Sequence, residues 1–278
     1  MRKLTIKESQ FRSYNILEFI SQACLKNNLK FYLAWGTLIG AVRHDGFIPW
    51  DDDVDVFMPR DDYVKFIQFM KKNETAPFKL YSIENRNDYF FSLVRVVDVQ
   101  TIIKGERKDI EKQCDCGIFV DIYPIDFYGK DKNEAELFFN RQQRCEWLKE
   151  LALQDGFTYS KSSKWLSIIK YPIFRYAQKR GYKYFYNKME DRAKNLVLVK
   201  DKAAFCCSCY GSGGMSAQSL TFPAEWFSDV LYHKFEDSVF PIPIGYDPLL
   251  RQVYGDYMTL PPEDERAGHH LYKAYALD

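Results

Sequence analysis

Four carboxylates fall within five residues at Asp51, Asp52, Asp53 and Asp55. Like charges at that density repel, and a divalent cation is the usual way to offset them. An acidic run by itself is ordinarily a solvated turn. This one is bracketed by Ile48, Pro49 and Trp50 before it and by Val56, Phe57 and Met58 after it. Asp53-Val54-Asp55-Val56 also alternates polar with apolar, the period of a strand. Asp53 and Asp55 then share one face while Val54 and Val56 turn to the core. Two carboxylates on a rigid strand suit Mg²⁺, with Mn²⁺ as a second choice, because both cations take hard oxygen ligands. A further acid, Asp121, is enclosed by Ile118, Phe119, Val120, Ile122 and Tyr123. A buried carboxylate without a partner is costly, so Asp121 calls for a metal or a cation. Asp126 follows Pro124 and reads as a strand-end turn residue.

Upstream, Gly36-Thr37 follows the apolar run Phe31 to Trp35. Glycine permits close backbone approach to a phosphate, and a following helix N-terminus offers unsatisfied N–H groups. Thr37 can cap that helix and donate to a phosphate oxygen. Gly-Thr alone is a weak signal; its placement sixteen residues before Asp53 makes it a specific one. The stretch WGTLIGAVRHDGFIPWDDDVDV resembles the signature of the LicD family, within the nucleotidyltransferase superfamily. That superfamily's pattern is a Gly-Ser-like turn, two acids on one strand and a third acid on a later strand.

The resemblance implies an α+β fold of the polymerase-beta type, with a mixed β-sheet, flanking helices and a helical insertion. It implies metal-dependent phosphoryl transfer from a CDP-linked donor, with Asp53, Asp55 and Asp121 as catalytic metal ligands. Gly36 and Thr37 would hold phosphate oxygens. Arg43 and Arg95 would neutralise charge on the leaving nucleotide or the transferred group. The expected reaction moves phosphocholine from CDP-choline to a sugar hydroxyl of a lipid-linked glycan precursor, of teichoic-acid or lipopolysaccharide type, and releases CMP. A ribitol-phosphate, glycerol-phosphate or nucleotidyl transferase on the same fold is the alternative. A non-catalytic nucleotide- or glycan-binding module is a third reading, and the intact acids argue against it. A choline cation favours an aromatic box with a carboxylate nearby. Tyr210, Trp226 and Asp51 are the candidate substrate residues.

Composition narrows the class. The chain has 278 residues, 28% charged and 46% hydrophobic, with a net charge of +1. Nothing global draws it to nucleic acid. The first ten residues, MRKLTIKESQ, lack an apolar core, and no apolar run of about eighteen residues occurs. A cytoplasmic protein with reduced cysteines is therefore expected. A zinc site from Cys114, Cys116, Cys206, Cys207 and Cys209 is not expected, because CxC and CCxC are not paired CxxC knuckles.

The elements that must position the acids follow from periodicity. A helix is expected over 6–28, then a strand over 30–34, a helix over 37–43, the acidic strand over 53–58 and a helix after Pro59. Strands are expected over 78–82, 89–97 and 101–103. Arg95 stands as a cation inside the second of these. Residues 132–154 read as a helix. Residues 156–189 carry eight lysines and arginines, many aromatics and no Asp or Glu. That composition suits either a helical insertion with solvent-facing lysines or peripheral contact with an anionic membrane. The expected organisation is one domain: a catalytic core over 1–130, a basic-aromatic insertion over 131–204 and a substrate-cleft block over 205–278. His270 lies in a tail that could fold over the site.

Overall fold

The computed structural model describes residues 1–73, 77–105, 116–157, 164–198, 202–211, 214–266 and 272–277. His269, His270 and Cys114 lie outside the described residues. In chain order the first elements are β1 (Arg2–Lys3), α1 (Ile6–Lys26), β2 (Tyr32–Leu33), α2 (Trp35–His44), β3 (Val54–Pro59) and α3 (Arg60–Lys72). Next come β4 (Phe78–Tyr81), β5 (Val94–Asp98), β6 (Thr101–Gly105) and β7 (Phe119–Phe127). They are followed by α4 (Lys132–Leu153), α5 (Lys164–Arg180), α6 (Tyr182–Leu196), β8 (Phe205–Cys207) and α7 (Ala217–Leu220). The chain closes with β9 (Thr221–Pro223), β10 (Val230–Phe235), β11 (Ser238–Pro243), α8 (Tyr246–Tyr254) and β12 (Tyr272–Ala276).

The chain divides into two compact units, Met1–Ile125 with Phe222–Asp278, and Asp126–Thr221. The division falls inside β7 and at β9.

The first unit is built on a mixed sheet with strand order β2-β3-β7-β5-β4. β3 and β7 run parallel, and the other pairings are antiparallel. β3 is buried along its whole length, and β7 along nearly all of its length. This matches their near-continuous apolar sequence. A second sheet, β1-β12-β6, ties both ends of the chain to one antiparallel ladder. β10 and β11 form a hairpin whose turn residue Glu236 takes a left-handed φ of 56°.

The sheet differs from expectation at one strand. Of the expected strand over 89–97 only 94–97 pairs, and the strand runs on to Asp98. Tyr89 is fully buried and its hydroxyl donates to the Leu93 carbonyl at 3.0 Å, closing a local turn that competes with the ladder.

The second unit is mainly helical. Its core comes from Phe138 and Phe139 of α4, Phe174 and Ala177 of α5, and Phe185 and Met189 of α6. Gln178 of α5 donates to the Leu151 and Gln154 carbonyls at 3.0 and 2.8 Å, capping the open end of α4. α5 runs through Pro172. Cys207 and Cys209 are buried, with their sulfurs 3.3 Å apart. Among the described residues no helix is long and apolar enough to cross a membrane.

Candidate active site

Three adjacent strands of the first unit bring the chemistry together. In the β3–β7 ladder Asp55 lies opposite Asp121. In the β7–β5 ladder Asp121 lies opposite Arg95. The register thus sets two acids and a guanidinium in one row across the sheet. Arg95 Nε donates to Asp121 Oδ1 at 2.6 Å, and its NH2 nitrogen to Oδ2 at 3.2 Å. The guanidinium is sandwiched between the rings of Phe91 and Phe119, 3.9 and 3.8 Å from their centroids.

Asp55 is held by its backbone: its N–H donates to Thr37 Oγ1 at 2.9 Å. Its carboxylate is buried, and Oδ1 has no hydrogen-bond partner among the described residues. Burial pushes the Asp55 carboxyl well above the usual carboxylate range, and the charges of Asp53, Asp121 and Asp51 push it further. Arg95 pulls the other way.

Asp51, Asp52 and Asp53 each bring one carboxylate oxygen within 4.8 Å of the other two. Asp51 is buried against α2, where a Cβ on Gly36 would meet its Oδ2 at 2.7 Å. Glycine at position 36 is therefore what lets this carboxylate approach the helix. Gln10 of α1 donates to the Asp51 carbonyl at 2.7 Å and fixes the acidic loop from the other side. The β10–β11 turn fixes it again: Glu236 Oε1 accepts from the Phe47 N–H at 2.9 Å.

α2 begins under strain. Trp35 adopts φ 45°, a costly value for a bulky residue, and its ring packs on Phe57 at 4.5 Å and Tyr123 at 5.9 Å. The cap residue is Ala34, which brings no side-chain acceptor to the first-turn N–H groups. The helix start at Gly36-Thr37 thus lies beside the acids, with the dipole sign that favours anions.

The donor set fits a hard divalent cation. It is all oxygen, clustered, partly buried, and includes one carboxylate oxygen without a hydrogen bond. Among the described residues Asp51, Asp52 and Asp53 supply the clustered oxygens, and Asp55 the buried oxygen without a hydrogen bond. Both Asp121 oxygens are engaged by Arg95.

Several sequence candidates sit differently from the simplest picture. Arg43 donates to the carbonyls of Tyr257 and Thr259, so it clamps the segment after α8. Trp226 is half-buried beside Phe222 and packs over Gly245. Tyr210 belongs to the second unit, where it is buried and its hydroxyl donates to Glu190.

Two tyrosines of the first unit were not among the candidates. Tyr123 shares the face of Asp121, and burial with the charges of Asp55, Asp121 and Asp53 raises its phenol well above the ordinary range. Tyr254, at the end of α8, is partly exposed, and its phenol is raised by desolvation and by Asp55, Asp51 and Asp53. Alternation from Asp121 would have found Tyr123. Tyr254 carries no local signal beyond lying in the Tyr254-Gly255-Asp256-Tyr257 block.

Residues 28–154, which carry the Gly-Thr turn, the acidic run, Arg95 and Asp121, match the family described as LicD/FKTN/FKRP, nucleotidyltransferase domain. The chain is 31% identical over 295 aligned residues to the lipopolysaccharide cholinephosphotransferase LicD of Haemophilus influenzae, and the match spans 100% of both chains. An uncharacterised protein of Rickettsia typhi is 30% identical over 133 residues, covering 48% of this chain and 40% of its own. One from Rickettsia prowazekii is 29% identical over 115 residues, covering 41% of each. With the acid-bearing strands inside the matched segment and a relative aligned from end to end, the chain belongs to the LicD family.

Proposed function

We propose that this protein is a transferase that moves phosphocholine from CDP-choline to a sugar hydroxyl of a lipopolysaccharide-type acceptor and releases CMP. The end-to-end similarity to a cholinephosphotransferase carries this reading. The nucleotidyltransferase fold is part of it, supported by the family's description and by the parallel β3–β7 pair that presents Asp55 and Asp121. A teichoic-acid acceptor is the other glycan of the same kind. The setting we propose is cytoplasmic, at the inner face of a membrane that carries the acceptor.

The residues divide the work. Asp51, Asp53 and Asp55 would hold Mg²⁺, or Mn²⁺, which when bound neutralises charge on the donor diphosphate. The N-terminus of α2, opened by Gly36, accepts a phosphate group. Thr37 Oγ1 accepts from Asp55 N–H and keeps its own proton to donate to a phosphate oxygen. The acceptor oxygen bonds to the distal phosphorus, and the bond from that phosphorus to the bridging oxygen breaks. The bridging oxygen leaves with CMP, and the hydroxyl proton passes to solvent or to a carboxylate. Asp121, whose two oxygens accept from Arg95, orients the hydroxyl. A loose transition state asks for little more than positioning and charge neutralisation.

The test is CMP release from CDP-choline, CDP-ribitol and CDP-glycerol with a lipopolysaccharide acceptor, in Mg²⁺ or EDTA. Metal-dependent CMP from CDP-choline is expected. Release from a polyol donor would instead assign a polyol-phosphate transferase, and release from none would leave a binding module. Asp53→Ala should lower turnover more than the roughly 10–100-fold typical of an outer-shell partner, in a protein that still folds. Undiminished turnover would remove Asp53 from the site.

A further inference from the structure

We propose that the solvent face of α5 and the start of α6 form a docking surface for an anionic lipid bilayer. The surface lies wholly in the second unit. α5 is amphipathic in an unusual sense. Phe174 and Ala177 are buried and face its neighbours. The opposite side presents Ile168, Arg175 and Lys179, spaced i, i+7, i+11, so one stripe of the helix carries them. Tyr171 and Tyr176 flank that stripe. Ile168 is 63% exposed, Tyr171 45% and Tyr176 44%.

The charge on this surface has one sign. From Gly156 to Met189 there are eight lysines and arginines and no acid. Glu190, the next acid along, is buried and bound to Tyr210 and Lys194. The remainder of the chain compensates, since the whole carries only +1. The unbalanced positive charge is therefore concentrated here, because the other 31 lysines and arginines share their part of the chain with all 38 acids. Arg180 lies over the rings of Tyr176 and Tyr184, 5.6 and 5.0 Å from their centroids, so the tyrosines are held upright among the cations.

An exposed aliphatic side chain between lysines, with tyrosines at the margins, is the composition that lies in a headgroup boundary. Nucleic acid would be met by the cations but gives no reason for Ile168 to face outward. The anionic bilayer is therefore the partner these observations favour. The docking reading rests on this surface alone. It complements the proposed lipid-linked acceptor but does not depend on the transfer chemistry.

The experiment is co-sedimentation of the full chain, without substrate, with phosphatidylglycerol-containing vesicles and with neutral phosphatidylcholine vesicles. Binding to the anionic vesicles only is expected, falling as salt is raised. The double variant Arg175→Gln/Lys179→Gln should weaken it about twenty-five-fold, from about five-fold for each cation lost near an anionic surface. Ile168→Ser should weaken it without changing its salt dependence. Both variants alter exposed positions, and far-UV circular dichroism checks that they fold. Absence of vesicle binding, binding unaffected by the double variant, or retention of an oligoribonucleotide in place of vesicles would each overturn the proposal. Because no donor is present, none of these outcomes bears on the phosphocholine reading.

Discussion

Arg95 carries a charge in the interior of the sheet, between two phenyl rings and against one carboxylate. A buried cation is tolerated only because Asp121 satisfies it with two bonds and the rings face it with their negative quadrupoles. The same pair sets a cation against Asp121 where the register places it opposite Asp55. Removing one member should therefore be worse than removing both. Arg95→Met should cost about 3–5 kcal/mol of stability in metal-free protein, because it strands a buried carboxylate. Adding Asp121→Asn should restore part of that loss, and a double-mutant cycle by chemical denaturation measures it. A single-variant cost within about 0.5 kcal/mol, as at an ordinary surface position, would mean the pair does not hold the row together. Arg95→Lys keeps the charge but loses the fork, and should fall between.

The elements around the acids place those side chains by contacts no window of sequence contains. α2 supplies Thr37 to the Asp55 N–H, and α1 supplies Gln10 to the Asp51 carbonyl. The acidic run, the glycine before it and Asp121 were legible, because alternation and apolar brackets are local signals. Their pairing with Arg95 was not. Nothing in Val94-Arg95-Val96 says that β5 lies antiparallel to β7 with Arg95 opposite Asp121. Nor were the partners of Arg43 legible: the carbonyls of Tyr257 and Thr259 lie more than 200 residues away. Gly36 tests how far the helix and the acids act as one element. Gly36→Ala improves helix propensity by about 1 kcal/mol, yet its Cβ needs the space of the Asp51 carboxylate. The variant should stay folded in EDTA and bind Mg²⁺ about tenfold more weakly by calorimetry, the lower end of what a displaced supporting group costs. An unchanged Mg²⁺ affinity would take Asp51 out of the ligand set.

At the scale of the molecule, most helices and strands followed from periodicity, and the mixed sheet with flanking helices from the family resemblance. The two-unit division did not follow, because it cuts through β7, a single continuous strand. That strand carries Asp121 in the first unit and Asp126 in the second. The first unit holds four acids close together, and their repulsion opposes folding unless something offsets it. Asp55, whose carboxyl is pushed well above the usual range, shows that cost most plainly. A cation that binds only the folded site should therefore stabilise the unit by mass action. At a Mg²⁺ concentration about one hundred times its dissociation constant the gain is about 2.7 kcal/mol. For a chain of this size that raises Tm by about 5–10 °C. The gain should grow with the logarithm of Mg²⁺ concentration, and EDTA should remove it. Asp53→Ala should flatten the dependence while leaving the EDTA baseline equal or higher, because one repelling charge has gone. A wild-type transition that ignores Mg²⁺ over that range would mean the acids hold no cation in the free protein, and that the donor diphosphate must bring it.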